Sequence, residues 1–198
     1  MKAMICKKIG MTRIFDDKGN AVPVTLVWAP TNIVTQVKTT DKDGYNALQI
    51  AFPEEKKLAK PQIGHLAKLN LKSRTLKEIR TDEVKALGDE LPVTQFEVGD
   101  IVVMTALSKG KGFAGTVKRH HFTTGPKTHG SDNYRKPGSI GPTYPQRVIK
   151  GRHMGGHMGD EITTVKNIKI VNIDTANQIL MLHGAVPGVR NNTVFIWK

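Results

Sequence analysis

The chain has 198 residues, with 30 Lys and Arg against 17 Asp and Glu, a formal net charge of +13 and a pI near 9.9. At 38% hydrophobic it can build a core, but so much positive charge opposes compaction and attracts polyanions. No apolar run approaches the roughly 18 residues of a membrane-spanning helix, and Met1 to Gly10 has no stretch suited to a signal peptide. Nucleic acid is therefore the expected partner and the cytoplasm the expected compartment, with no role for a membrane.

The first third of the chain reads as β structure. Ile5-Cys6-Lys7 is strand-like, and Cys6, the single cysteine, is a small filler that cannot form an internal disulfide. Asp17-Lys18-Gly19-Asn20 marks a turn. Ala21 to Ala29 is apolar and β-branched, and Asn32 to Thr39 alternates around Ile33, Val34 and Val37. Asp43-Gly44 predicts a type I′ hairpin leading into Tyr45 to Phe52. Residues 54–91 differ: Lys57 to Leu71 and Asp82 to Leu87 carry Lys, Ala and Leu at helix-like spacing, broken by Pro61 and Gly64. This predicts a small α-containing insertion. Glu54-Glu55 and Asp41-Lys42-Asp43 are read as solvated turn residues.

Strands return at Ile101 to Met104, Ile168 to Ile173, Ile179 to His183 and Thr193 to Trp197. Many short strands with Gly and Asp turns predict a mainly β chain closed into a small barrel. Trp28 and Trp197 are expected in its core or at its ends. Residues 1–107 and 160–198 would form this globular domain.

Residues 108–159 are of another kind. These 52 residues hold ten Lys and Arg and one acid, Asp132, together with eleven of the nineteen glycines and five of the seven histidines. Their large apolar groups, Phe113, Phe122, Ile140, Val148, Ile149, Met154 and Met158, are too scattered for a core of their own. A loop leaving the barrel and ordering on a partner is expected, with a reach on the order of 80–90 Å for a two-armed excursion. Arg and Lys would neutralise phosphates, glycines would let the backbone approach them, and aromatic rings would stack on unpaired bases. The candidate RNA-contacting cations are Lys109, Lys111, Lys118, Arg119 and Lys127, then Arg135, Lys136, Arg147, Lys150 and Arg152. The candidate rings are His120, His121, His129, Tyr134, Tyr144, His153 and His157.

Other chemistries fit less well. Gly110 to Gly115 matches G-x-G-x-x-G, but Thr116 to Phe122 runs into Gly125-Pro126 and leaves no room for the long helix of a dinucleotide site. His153 and His157 have i, i+4 spacing, but Gly155-Gly156 between them disfavours the helix a metal site would use. A single carboxylate in the segment gives little support to acid–base or triad catalysis. No cofactor, metal, small-molecule substrate or enzymatic activity is expected.

Several motifs together carry a family resemblance. Lys8-Ile-Gly-Met-Thr-Arg-Ile-Phe15, Ser108-Lys-Gly-Lys-Gly-Phe-Ala-Gly115, Lys118-Arg119 and Phe122 resemble the universal large-subunit ribosomal protein family L-three. So do Gly125-Pro126, His129-Gly-Ser131, Arg135-Lys-Pro-Gly-Ser-Ile-Gly141, Gly151-Arg-His-Met-Gly-Gly-His-Met-Gly159 and Gly184-Ala-Val-Pro-Gly188. The short length resembles the bacterial branch. The resemblance implies a six-stranded translation-protein-type β-barrel with a long irregular internal extension. That extension would thread into large-subunit (23S-type) rRNA and approach the peptidyl transferase centre. The resemblance further implies binding near the 3′ end of that rRNA, early action in subunit assembly, and neighbours of the L-thirteen, L-fourteen and L-nineteen families. Some bacterial members carry a methylated glutamine after the Gly-Ser-Ile-Gly motif. Here that stretch reads Pro142-Thr-Tyr-Pro-Gln146-Arg147, one residue shorter, so Gln146 does not inherit the modification. An alternative with the same basic loop is a free RNA chaperone or translation factor.

Overall fold

The computed structural model describes residues 2–53, 58–83 and 85–198. The first elements are strands β1 (Ala3–Phe15), β2 (Ala21–Trp28) and β3 (Asn32–Lys38), the helical turn α1 (Thr40–Asp43), β4 (Ala47–Ala51) and α2 (Lys60–Leu66). Strands β5 (Leu76–Arg80), β6 (Glu90–Leu91), β7 (Ile101–Leu107) and β8 (Phe113–Ala114) follow, then α3 (Thr116–His120). The chain closes with β9 (Gly156–His157), β10 (Ile162–Asp174), β11 (Ile179–His183) and β12 (Thr193–Trp197). It divides into two compact units, Met1–Ser108 with Ile162–Lys198, and Lys109–Glu161.

In the first unit six antiparallel strands close into a barrel, in the order β1-β12-β7-β10-β11-β2. Alternation explains which way each residue points. On β7, Val102, Met104 and Ala106 are buried while Ile101 and Leu107 are exposed. Met4, Cys6, Ile170, Leu180, Leu182, Val194 and Ile196 complete the barrel core. Burial pushes the Cys6 thiol far above its ordinary range, so it packs as a small neutral group.

A second antiparallel sheet, β5-β4-β3-β6, lies against the outside of the barrel. Its Val34, Leu48, Ile50, Phe52 and Ile79 meet Ala3 and Ile5 of β1 and Phe195 and Trp197 of β12. Trp28 packs edge-on against Phe52, with ring centroids 5.5 Å apart. The segments Asn32–Thr39 and Tyr45–Phe52, expected in the barrel, thus belong to this sheet. The cause is visible at Asn32, which is fully buried. Strand β2 ends opposite Lys7, leaving Ile5 without that neighbour. The Asn32 side chain takes its place, accepting from the Ile5 N–H at 2.6 Å and donating to the Ile5 carbonyl at 3.1 Å.

Three local expectations are corrected. Asp43-Gly44 lies in the β3–β4 hairpin connection but does not form a type I′ turn; Gly44 (φ 79°) ends α1 and donates its N–H to Thr40. The insertion helix covers only Lys60–Leu66, with Pro61 in its first turn and left-handed Asn70 (φ 49°) closing the short 3₁₀ turn that follows. Lys57, like Glu54 and Glu55, lies outside the described residues. Asp82 to Leu87 is not helical among its described residues, whereas Leu76–Arg80 is a strand paired with β4. Burial of Ile79 against the second sheet's core outweighs the helical propensity of the surrounding Lys and Glu. The Asp17–Asn20 turn forms as expected, the Asp16 carboxylate accepting from the N–H groups of Lys18 and Asn20.

Candidate nucleic-acid interface

The basic arm departs and returns at one place. Leu107 and Ile162 are directly paired across β7 and β10, and the hydroxyls of Thr105 and Thr164 meet at 2.9 Å further in. Within the arm, Gly159 (φ 73°) lets the two segments converge. A Cβ there would lie 2.1 Å from the Lys109 carbonyl oxygen. In the same unit Lys111 donates its N–H to Met158 at 2.8 Å and Met158 donates to Gly112 at 3.0 Å. Phe113 then pairs with His157, and Ala114 with Gly156.

Helix α3 closes this root. It ends where His121 adopts a left-handed conformation (φ 59°). The Arg119 guanidinium donates to the Met154 carbonyl at 3.0 Å and occupies the space a Cβ of Gly156 would need, 2.6 Å away. His120 bonds the same carbonyl through Nε2 at 3.0 Å and stacks on His153, with centroids 4.3 Å apart and planes 4° from parallel. Ala114 and Thr116 are buried beneath it. The arm is thus more ordered at its root than its composition implies: glycines replace a hydrophobic core by letting strands and an arginine approach closely.

Beyond the root the structure is turns. Gly125 donates its N–H to Tyr134 at 2.9 Å, and the Lys127 ammonium sits 5.3 Å from the Tyr134 ring centroid. Arg152 donates to the Ser139 carbonyl at 2.7 Å. Lys109, Lys111, Lys118, His121, Lys127, His129, Arg135, Lys136, Tyr144, Arg147, Lys150, Arg152, His153 and His157 are exposed. Arg119, His120 and Tyr134 are half-buried, engaged in the contacts just described. The seventeen candidates therefore fall into a root cluster around Arg119, His120 and His153 and a set of solvent-facing cations and rings. The Gly110–Gly115 motif lies on an antiparallel pair and leads into the five-residue α3, so it lacks the parallel sheet and long helix of a dinucleotide site. Two exposed lysines outside the arm, Lys166 and Lys169 on β10, escape a reading of the sequence because they stand in an ordinary alternating strand.

The family description "Ribosomal protein L3" matches residues 31–180. The chain is 46% identical over 202 residues to the large ribosomal subunit protein uL3 of Brachyspira pilosicoli, an alignment covering 99% of this chain and 93% of the relative. It is 44% identical over 200 residues to the protein of the same name from Bacillus thuringiensis (strain Al Hakam), covering 98% and 95%. The chain belongs to the ribosomal protein L3 family. Within that family it is of the bacterial type, and its six-stranded barrel is the one the resemblance implied.

Proposed function

We propose that this L3-family chain is a non-catalytic structural constituent of the large ribosomal subunit, working in the cytoplasm as part of that particle. The globular unit docks on rRNA and the extension, residues 108–159, penetrates it. The observation that carries this is the arm itself. It has ten cations against one acid from Ser108 to Gly159, nearly all solvent-facing, on a backbone of turns. Such a surface is unfavourable alone and is stabilised by phosphates packed around it. The seventeen side chains named above are its rRNA contacts.

On the same reading, binding lies near the 3′ end of the large-subunit rRNA and occurs early in assembly. The distal turns support rRNA near the peptidyl transferase centre, and any effect on peptide-bond formation passes through rRNA positioning. Proteins of the L-thirteen, L-fourteen and L-nineteen families are the proposed neighbours. The similarity to proteins named large ribosomal subunit protein uL3 supports this assignment.

The test is the salt dependence of binding between the full chain and large-subunit rRNA. If about six side chains neutralise phosphates, affinity falls roughly 10³–10⁵-fold between 50 and 200 mM salt. A flat response would overturn the proposal. Recovery of the native protein in the soluble fraction after high-speed sedimentation, away from large subunits, would point to a free RNA chaperone or translation factor instead.

A further inference from the structure

We propose that Phe113 is a stacking platform for one unpaired nucleobase of the RNA that the arm binds, an inference that rests on rRNA binding by the arm. Phe113 is 81% exposed although it sits in regular structure, on β8 of the β8–β9 ribbon. Pairing places Phe113 and His157 opposite each other, so both project from the same face of the ribbon. The other face is occupied, with Ala114 buried and the Arg119 guanidinium packed at Gly156.

The ring is also positioned. A Cβ on Gly155 would lie 3.2 Å from Phe113 Cε1 and 3.3 Å from Cζ, so the ring rests over the bare backbone of Gly155. A held phenyl group with so much of its surface open to solvent presents a flat apolar face. The chemistry around it selects the occupant. Lys111 precedes it by two residues, exposed His157 stands beside it, and from Ser108 to Gly159 the only acid is Asp132. A nucleotide offers a base π-face for the ring and a phosphate for the neighbouring Lys111, whereas an apolar protein partner would leave that charge unmatched. The Gly155-Gly156 pair then has a double role: Gly155 seats the phenyl ring on one face, and Gly156 admits the arginine on the other.

The full chain carrying Phe113→Ala, Phe113→Leu or Phe113→Trp is titrated with a large-subunit rRNA transcript from 50 to 200 mM salt. Ala and Leu are expected to weaken binding by about 5- to 150-fold, the range for removing a base–aromatic stack. The salt slope stays unchanged because every phosphate keeps its cation, and Trp retains affinity. Full affinity in the Leu variant would overturn the platform, since simple apolar contact would then suffice. So would a neutral Ala variant with the steep salt slope intact, an outcome that leaves rRNA binding by the arm standing. A flat salt slope in the unsubstituted chain would instead remove the arm's role and the platform with it.

Discussion

Asn192 donates its side-chain amide to the Leu107 carbonyl at 2.9 Å, tying the loop before β12 to the strand end from which the arm departs. Gly188 (φ 93°) lies beneath this bond. A Cβ there would stand 2.3 Å from Asn192 Nδ2 and 2.7 Å from the Leu107 oxygen. Gly188→Ala should therefore destabilise the protein by roughly 1–3 kcal/mol, through both the left-handed backbone and the broken tie. Denaturant unfolding reads this as a lower midpoint at unchanged slope.

Lys8 holds the same loop from inside. Its side chain is 8% exposed, and its ammonium donates to the carbonyls of Val186 at 2.7 Å and Gly188 at 3.0 Å. Lys8→Met keeps the apolar stem but leaves these carbonyls without a charged donor. A decrease of about 1.5–3 kcal/mol is expected in the same unfolding assay, and stability equal to the unsubstituted chain would show that the charge merely fills space.

Acid sensitivity should be traceable to Asp100. The Lys198 ammonium bonded to its carboxylate, the N–H of Glu97 and the nearby charge of Lys2 hold its carboxyl below the usual range. A carboxyl depressed in the folded state stabilises fully above its unfolded value, near about 3.9, and that contribution disappears as pH falls through the lower folded value. Asp100→Asn should thus be less stable than the parent at neutral pH, and the difference should shrink below about pH 4. A constant difference down to acid pH would count against the ion pair.

Cations of the distal arm should reveal themselves through ionic strength. Lys127, Arg135 and Lys136 are exposed and lie outside the packed root. Changing all three to Ala should lower the magnitude of the log–log salt slope of rRNA binding by about 0.7–0.9 for each phosphate that is no longer neutralised. The barrel's thermal unfolding should not move, because none of the three contributes to its core. A shift in unfolding with no change in slope would invert their assignment.

Much of the fold is legible in the letters. Strands β2, β7, β11 and β12 stand where short apolar runs put them, and the turn at Asp16–Asn20 follows from its Asx chemistry. The insertion misleads because Lys, Ala and Leu recur at helix-like spacing over Lys57 to Leu71 and Asp82 to Leu87, whereas Leu76–Arg80 between them becomes a strand only through pairing with β4. In the arm, the density of charge locates the candidate surface but does not single out Phe113, since a lone phenylalanine among glycines reads the same whether buried or exposed. Gly155 and Gly156 give no sign of what they face, because Phe113 and Arg119 approach them from a distant part of the chain.

Local order along the chain was enough to determine where cations gather, which stretches alternate, and which family the chain resembles. Those properties depend on neighbouring residues and survive without any tertiary packing. Tertiary structure alone decided which strands close the barrel and which form the second sheet, because strand pairing satisfies backbone groups far apart in sequence. Asn32, bonding to Ile5 where a strand would otherwise lie, makes that choice. The ordered root of the arm was decided in the same way: its glycines become meaningful only when a guanidinium and a phenyl ring fill the space that missing side chains leave.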